Sequence, residues 1–294
     1  MCLLNKRCKI YYNNQIKGGH ILEKLDYLIE YLLNENKNVK ITKIPYDEIS
    51  KKKLYRSLCN IRDPLPISKE YLKIENEYLQ EELEKKNITQ IEEIKTINEL
   101  FPQTNLKHKS KICLWKGDIT TLKIETIVNA ANSQGLGCFL ALHNCIDNQV
   151  NSNAGISLRL ECNEIMKLKN YHLETSEAII TNGHNLPCKY IIHTVGPIIY
   201  ENVTEKEILE LKKCYINSLE LAKENNIKTI AFPCISTGEF RFPKELASKI
   251  AVETVKEYLK TNEGYFEKIV FDVFEDSDYR SYFKYLGEEY GKEL

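Results

Sequence analysis

"KICLWKGDITTLKIETIVNAAN", residues 111–132, holds two short runs rich in β-branched and apolar residues, broken by a polar turn at Gly117-Asp118. Each run is too short for a buried helix and reads as a strand. The same texture returns in "EAIITN", "KYIIHTVG", "TIAFPCIS" and "KIVFDVF". Helical stretches lie between and after them: 205–225, 243–260, and "DYRSYFKYLGEEY" near the end. Strands alternating with helices predict an α/β fold, a mostly parallel sheet covered on both faces. Such sheets take ligands in the crevice beyond the strands' carboxyl ends. The residues that follow each strand are therefore the ones to inspect.

Upstream of residue 105 the pattern is different. "GGHILEKLDYLIEYLLNEN" sets Ile21, Leu22, Leu25, Leu28, Ile29 and Leu32 on one stripe at helical period. "YDEISKKKLYRSLCNIRD" and "SKEYLKIENEYLQEELEKKN" repeat it, with Ser68 as the expected N-cap after the prolines of "RDPLPI". Residues 1–104 are thus expected to form a helical N-terminal extension packed on a core spanning 105–294.

The 41 basic and 42 acidic residues leave a net charge of −1, so no global field attracts nucleic acid or a membrane surface. "MCLLNKRCKIYYNNQIK" lacks the apolar core and cleavage site of a secretory signal, and no run reaches the ~20 residues of a membrane span. Ten cysteines without framework spacing in 294 residues predict reduced thiols and a cytoplasmic setting. Cys113, Cys214 and Cys234 sit among apolar neighbours and read as core thiols.

After the first strand, Asp118 of "GDIT" either caps the next turn or accepts hydrogen bonds from an amine such as that of adenine. After the second, "NAANSQG" offers Asn129 and Asn132, neutral amides suited to sugar hydroxyls or to an Asn-rich turn. Then Cys138, His143 and Cys145 follow as C-x4-H-x-C. Thiolate and imidazole are zinc ligands, and no second knuckle stands nearby to close a structural site. The alternatives are a metal-free thiol loop, or a closed site completed by a distant residue such as Cys162. Two thiolates would cancel the charge of a zinc ion and make it a weak activator of water. A separate base would then be useful, and Asp147 stands two residues on, unless it caps the following helix.

After "TIAFP", "CISTGEFRFP" leads through Ser236, Thr237 and Gly238 to Pro243 in a helical first turn. Gly238 permits close backbone approach, and backbone N–H groups near a helix start cradle anions. The Gly-Lys-Ser/Thr element of a Walker loop is absent. Glu239 would repel a diphosphate through its side chain, so its backbone amide is the expected contact. His193 reads as a satisfied strand residue, and His184 as a loop residue that could approach the cleft.

Taken in order, "GDIT", "VNAANS", "GCF…H.CID", "AG..LR", "NLP.KYIIHTVGP" and "CISTG.F.FP" resemble the zinc-containing macrodomains, which are protein-ADP-ribose hydrolases. The resemblance runs from about residue 110 to the C-terminus, and "LYRSLCNIRDPLPIS" and "YLQEEL" extend it into the helical leader. It implies a three-layer α/β/α macrodomain with a mixed, largely parallel sheet. It also implies one Zn2+ per chain, an ADP-ribosylated protein as substrate and free ADP-ribose as product. By residue, Asp118 and Ile119 would meet adenine, and Ser236, Thr237, Gly238, Glu239 and Phe240 would wrap the diphosphate. Asn132 would orient the distal ribose, Cys138, His143 and Cys145 would hold zinc, and Ile146, Asp147 and Asn148 would adjoin it. Some members act with a sirtuin-like transferase system. Two positions depart from the pattern: Ala141 stands where Pro is common, and Asn151 where His is common. The competing readings are a slow or non-catalytic ADP-ribose reader, which Asn151 motivates, and a structural-zinc protein that docks through its leader.

Overall fold

The computed structural model describes residues 23–36, 39 and 43–287. Among the described residues three amphipathic helices come first: α1 (Lys24–Glu35), α2 (Glu48–Ile61) and α3 (Lys69–Glu84). The Asp47 carboxylate accepts the Ser50 N–H at 2.8 Å to start α2. The Ser68 hydroxyl accepts the Tyr71 N–H at 3.1 Å to start α3, as the sequence predicts. Leu25, Leu28, Ile29 and Leu32 are buried along α1, whereas Ile21 and Leu22 of the same stripe lie outside the described residues. This stripe packs with Leu58, Tyr71, Tyr78 and Leu79.

Chain direction then changes through β1 (Thr89–Gln90) and the single turn α4 (Ile97–Leu100). The remaining elements are β2 (Ile112–Lys116), β3 (Leu122–Lys123), β4 (Thr126–Ala131), α5 (Ile146–Ala154), α6 (Ile156–Leu168), β5 (Ala178–Asn182) and β6 (Tyr190–Val195). They continue with α7 (Glu205–Glu224), β7 (Thr229–Phe232), α8 (Lys244–Thr261), β8 (Lys268–Val273) and α9 (Asp276–Gly287). β1 pairs in parallel with β3, so residues 89–90 are laced into the structure downstream of them.

Among the described residues six strands form one sheet in the order β2-β8-β7-β4-β6-β5, parallel throughout except for the antiparallel edge strand β5. Alternation along each strand splits the core into two layers. Val128, Ile192, Ile230, Phe232, Ile269 and Phe271 face α7 and α8, meeting Leu211, Tyr215, Ile250 and Val255. Their neighbours Ile127, Ile191, Ala231 and Val270 face the other way, onto Val150, Ala154 and Leu158 of α5 and α6. The result is the three-layer α/β/α fold with a mixed, mostly parallel sheet. The N-terminal helices pack beyond the α5–α6 layer, where Ile156 joins their apolar cluster.

Boundaries differ from expectation at two helices, both for reasons of capping. Pro243 is the N-cap of α8 rather than its first helical residue. The N-cap of α5 is Cys145, whose Sγ accepts the Asn148 N–H at 3.4 Å, so Asp147 lies inside the helix and does not cap it. Among the described residues no helix is long and apolar enough to cross a membrane.

Candidate active site

β4, β7 and their neighbours end together, and three loops meet there. Where β4 stops, the Asn132 side chain folds back on its own loop. Its Oδ1 accepts the Gln134 N–H at 3.0 Å, and its Nδ2 donates to the Gly137 carbonyl at 3.2 Å and to Asp147 Oδ2 at 3.1 Å. Both amide protons are spent, leaving a lone pair on Oδ1 as the group able to meet a hydroxyl. Gly137 has φ +83°, and a Cβ there would fall 2.6 Å from the Asn151 side chain. Only glycine lets the loop pass this close.

The loop next brings Cys138, His143 and Cys145 together, with one ligand atom from each inside a 4.8 Å span. Cys138 Sγ stands 3.6 Å from His143 Nδ1. That is close to the ~3.5 Å edge of a tetrahedron with metal–sulfur and metal–nitrogen bonds of ~2.3 and ~2.0 Å. The three side chains can therefore hold one soft cation. Cys162, offered above as an example of a distant fourth ligand, is instead packed in the apolar layer beneath the sheet at 1% exposure.

Asp147 points from the first turn of α5 toward β4 and is 4% exposed. Three amides hold its carboxylate: Asn129 at 2.8 Å and Asn151 at 3.1 Å on Oδ1, and Asn132 on Oδ2. Burial pushes its pKa up to about 6 despite the Asn129 hydrogen bond. Asn129 is fully buried and bridges Asp147 to His193 Nδ1 at 3.1 Å, so it supports the carboxylate and does not reach a sugar. His193 also meets Thr181 Oγ1 at 2.9 Å, and burial lowers its pKa to about 4, which keeps the ring neutral. It is the satisfied strand residue the sequence suggests. His184 does not approach the cleft: it lies in the β5–β6 turn, at the opposite ends of the strands, 2.5 Å from Glu161.

The third loop follows β7, which stops at Pro233. Ser236 takes the left-handed conformation, φ +65°, and its buried hydroxyl has no hydrogen-bond partner among the described residues. The loop closes on itself: the Thr237 hydroxyl donates to the Cys234 carbonyl at 2.9 Å, and the Phe242 N–H to the Ser236 carbonyl at 2.9 Å. A Cβ added at Gly238 would meet nothing within 4 Å, so the space over this turn is open. The Glu239 side chain is exposed and turned sideways, its Oε1 3.3 Å from His143 Nε2. This contact joins the third loop to the Cys138–His143–Cys145 cluster.

At the far side of the crevice, Asp118 Oδ1 accepts both the N–H and the hydroxyl of Thr120, at 3.0 and 2.7 Å, with Ile119 buried beside it. Capping occupies that oxygen. A buried carboxyl on β8, Asp272, lies near enough for Asp118 to help burial raise its pKa. Its signal was the single acid inside "KIVFDVF", a run otherwise apolar. Ile146 is half-buried, and Asn148 is fully buried with its amide on the Leu140 carbonyl at 2.9 Å.

Comparison with known proteins agrees with this architecture. A sequence model of the family described as Macro domain matches residues 128–251. A protein-ADP-ribose hydrolase of Treponema medium is 45% identical over 264 residues, which is 90% of this chain and 98% of that protein. The chain belongs to the Macro domain family. Among solved structures, the Oceanobacillus iheyensis macrodomain with ADP has a TM-score of 0.56 and 34% identity, covering 64% of this chain and 96% of that one. The Trypanosoma brucei macrodomain in complex with ADP-ribose has a TM-score of 0.59 and 26% identity, covering 78% of this chain and 94% of that one.

One residue of this macrodomain that carried no role in the sequence is Arg159, the arginine of "AG..LR". It is 6% exposed and donates to the carbonyls of Leu136 at 2.9 Å and Cys138 at 3.3 Å, while its plane lies 4.3 Å from the Phe139 ring. The same guanidinium donates to the carbonyls of Cys59, Asn60 and Arg62 at the end of α2. An arginine on an apolar helix face, four residues after the glycine that starts the helix, would have been the signal.

Proposed function

We propose that this macrodomain is a glycosidase- or esterase-type hydrolase that releases ADP-ribose from a modified protein side chain, with one zinc ion held by Cys138, His143 and Cys145. In this reading residues 105–294 carry the site and 1–104 form an extension packed on it. The observation that carries it is the 3.3 Å approach of Glu239 to His143, which sets the thiol–imidazole group at the rim of the Ser236–Phe240 turn. A nucleotide diphosphate over that turn would bring its distal ribose to the metal loop. The names of the relatives, a protein-ADP-ribose hydrolase and a macrodomain in complex with ADP-ribose, support the substrate class.

Zinc bound there would polarise an oxygen of the linkage or the distal ribose, moderately, because two thiolates offset its charge. The chain's own residues supply the rest. Asp118 and Ile119 would receive the adenine, and the turn of Ser236, Thr237, Gly238, Glu239 and Phe240 the diphosphate through its backbone N–H groups, that of Thr237 leaving the long 3.4 Å bond it makes to the Cys234 carbonyl. Binding energy from that end would fix the anomeric carbon against Asn132, whose Oδ1 accepts a ribose hydroxyl. Asp147 holds Asn132 in place and is the carboxylate assigned to orient or deprotonate the attacking water. Ile146 and Asn148 shape the wall beside it.

Metal analysis alongside single-turnover release of ADP-ribose from Asp/Glu-, Ser- and Arg-linked protein substrates tests the proposal. The expected result is one zinc per chain and release from one linkage class. Tight ADP-ribose binding without release from any substrate would make the protein a reader instead. Unfolding on metal removal, with no affinity for ADP-ribose, would make the zinc structural.

A further inference from the structure

Residues 138–145 contain no helix or strand, and Leu142 is held in the left-handed region at φ +57°. Within this arm the backbone closes a single turn, His143 N–H to the Leu140 carbonyl at 3.2 Å. Nearby helices add the Asn148 amide on the Leu140 carbonyl at 2.9 Å and Arg159 on the Cys138 carbonyl, and further anchors come from α2, more than 80 residues away in sequence. Arg56 Nη2 donates to the His143 carbonyl at 2.7 Å and to Asn148 Oδ1 at 2.7 Å, while Nε reaches the same Oδ1 at 3.2 Å. One turn later on the same helix face, Asn60 Oδ1 accepts the Leu142 N–H at 3.0 Å and Nδ2 donates to Ser152 Oγ at 3.0 Å. The carbonyls that close α2 accept from Arg159, which also grips the Cys138 carbonyl. Both ends of the ligand loop therefore return to one helix of the leader.

Resting on the zinc reading above, we propose that α2 is a working part of the metal site. Arg56 and Asn60 act as positioning residues that hold His143 and Cys145 in ligating geometry. A loop without secondary structure loses freedom when it closes on an ion, and prior fixing of its backbone removes that cost from binding. Arg56 suits the task because its planar fork spans a carbonyl and an amide oxygen together, which a lysine ammonium does not. The Arg56 guanidinium is also close enough to Cys145 and Cys138 to interact with their charge, in a site whose ligands are anionic when they bind metal. The same clamp meets the departure at Ala141: where the resemblance leads one to expect a stiffening proline, the neighbouring Leu142 N–H is pinned by Asn60.

The test uses the full zinc-loaded chain and follows zinc release to an excess of a chromophoric chelator. Arg56→Ala should release zinc at least about tenfold faster than wild type, the scale of outer-shell changes at metal sites. Arg56→Lys should fall between the two. In the metal-free protein, amide exchange over residues 138–145 should quicken in Arg56→Ala, and ADP-ribose affinity by calorimetry should stay at the wild-type value. Gln80→Ala removes leader contacts to Asn185 at 3.1 and 3.2 Å, away from the loop, and should release zinc at the wild-type rate. Release from Arg56→Ala at the wild-type rate, or equal acceleration by Gln80→Ala, overturns the inference while the zinc reading stands. Should Arg56→Ala fail to fold, a wild-type rate in Arg56→Lys overturns it equally. A wild-type chain that takes up no zinc overturns both.

Discussion

The two loops at the mouth of this crevice are built in opposite ways. The Ser236–Phe240 turn is mostly local: Pro233 follows a strand, Pro243 caps a helix, and bonds such as Thr237 to Cys234 and Phe242 to Ser236 span a few residues, with one backbone bond from outside, Ile199 N–H to the Phe240 carbonyl at 2.8 Å. The Cys138–Cys145 loop is remote: its shape depends on Arg56, Asn60 and Arg159, which come from elements far along the chain. A turn whose shape is closed mainly by its own backbone can be written into one strand–turn–helix unit. A loop that presents side chains to an ion needs its backbone fixed from outside, because turns of mixed residues populate many conformations.

The sharpest way to separate the two is Cys138→Ala. It should abolish zinc uptake and lower ADP-ribose release by more than ~100-fold, while ADP-ribose affinity and the far-ultraviolet spectrum of the sheet persist. Undiminished single-turnover release by the metal-free variant would count against metal-assisted hydrolysis.

Arg159→Met should break the remote loop from its other end. It leaves buried carbonyls on α2 and at Leu136 without a donor and should cost about 3 kcal/mol in denaturant unfolding. A loss below the ~0.5 kcal/mol of a surface change would show that the loop does not depend on this arginine.

Gly238→Val addresses the local loop. Because a Cβ there meets open space and the backbone is not left-handed, unfolding stability should change by less than ~0.5 kcal/mol. ADP-ribose affinity should fall about tenfold or more through contact with the diphosphate, read by calorimetry. Wild-type affinity would remove the turn from the binding site.

The gentlest probe concerns the joint between leader and core. Glu75 is fully buried on α3, where it accepts from Tyr55 at 2.7 Å and from the Ile156 N–H at the start of α6 at 3.0 Å. Burial raises its pKa to about 7, against which the Tyr55 and Ile156 hydrogen bonds and Arg62 act. The folded chain therefore binds this proton more tightly than the unfolded one. The resulting stability is complete below about pH 4.5 and is lost as pH rises through 7. Glu75→Gln should flatten that loss, so the drop in Tm between pH 5 and pH 8 becomes smaller by roughly 2–4 °C. An unchanged pH profile would mean that Glu75 titrates alike in both states.

Much of the architecture was legible because local physics agrees with the fold. The apolar β-branched runs became β2, β4, β6, β7 and β8, and Ser68 caps α3 where the prolines end. The meeting of Cys138, His143 and Cys145 could be read because a turn-rich stretch of eight residues doubles back and brings its side chains close. Other points resisted. Asn129 and Asn132 look alike in "NAANSQG", yet one is sealed under the sheet and the other lines its mouth. That depends on where β4 stops, and strand ends are set by pairing. Asp147 looked able to cap α5 until the Cys145 sulfur took that place. Arg56 and Asn60 stand inside "LYRSLCNIRDPLPIS", yet their role was not legible, since a polar helix face reads as solvated surface unless its neighbour is known.

The order of residues along the chain determined the alternation of strands and helices, the two glycine-bearing loops and the chemical types gathered at their tips. Those are short-range properties of backbone preference and side-chain period. Tertiary structure alone decided which carboxylate is buried among amides, which asparagine faces the crevice, and that a leader helix grips the thiol–imidazole loop. Such contacts arise only when distant segments pack, because burial and hydrogen-bond satisfaction belong to the whole assembly of elements and to no single stretch.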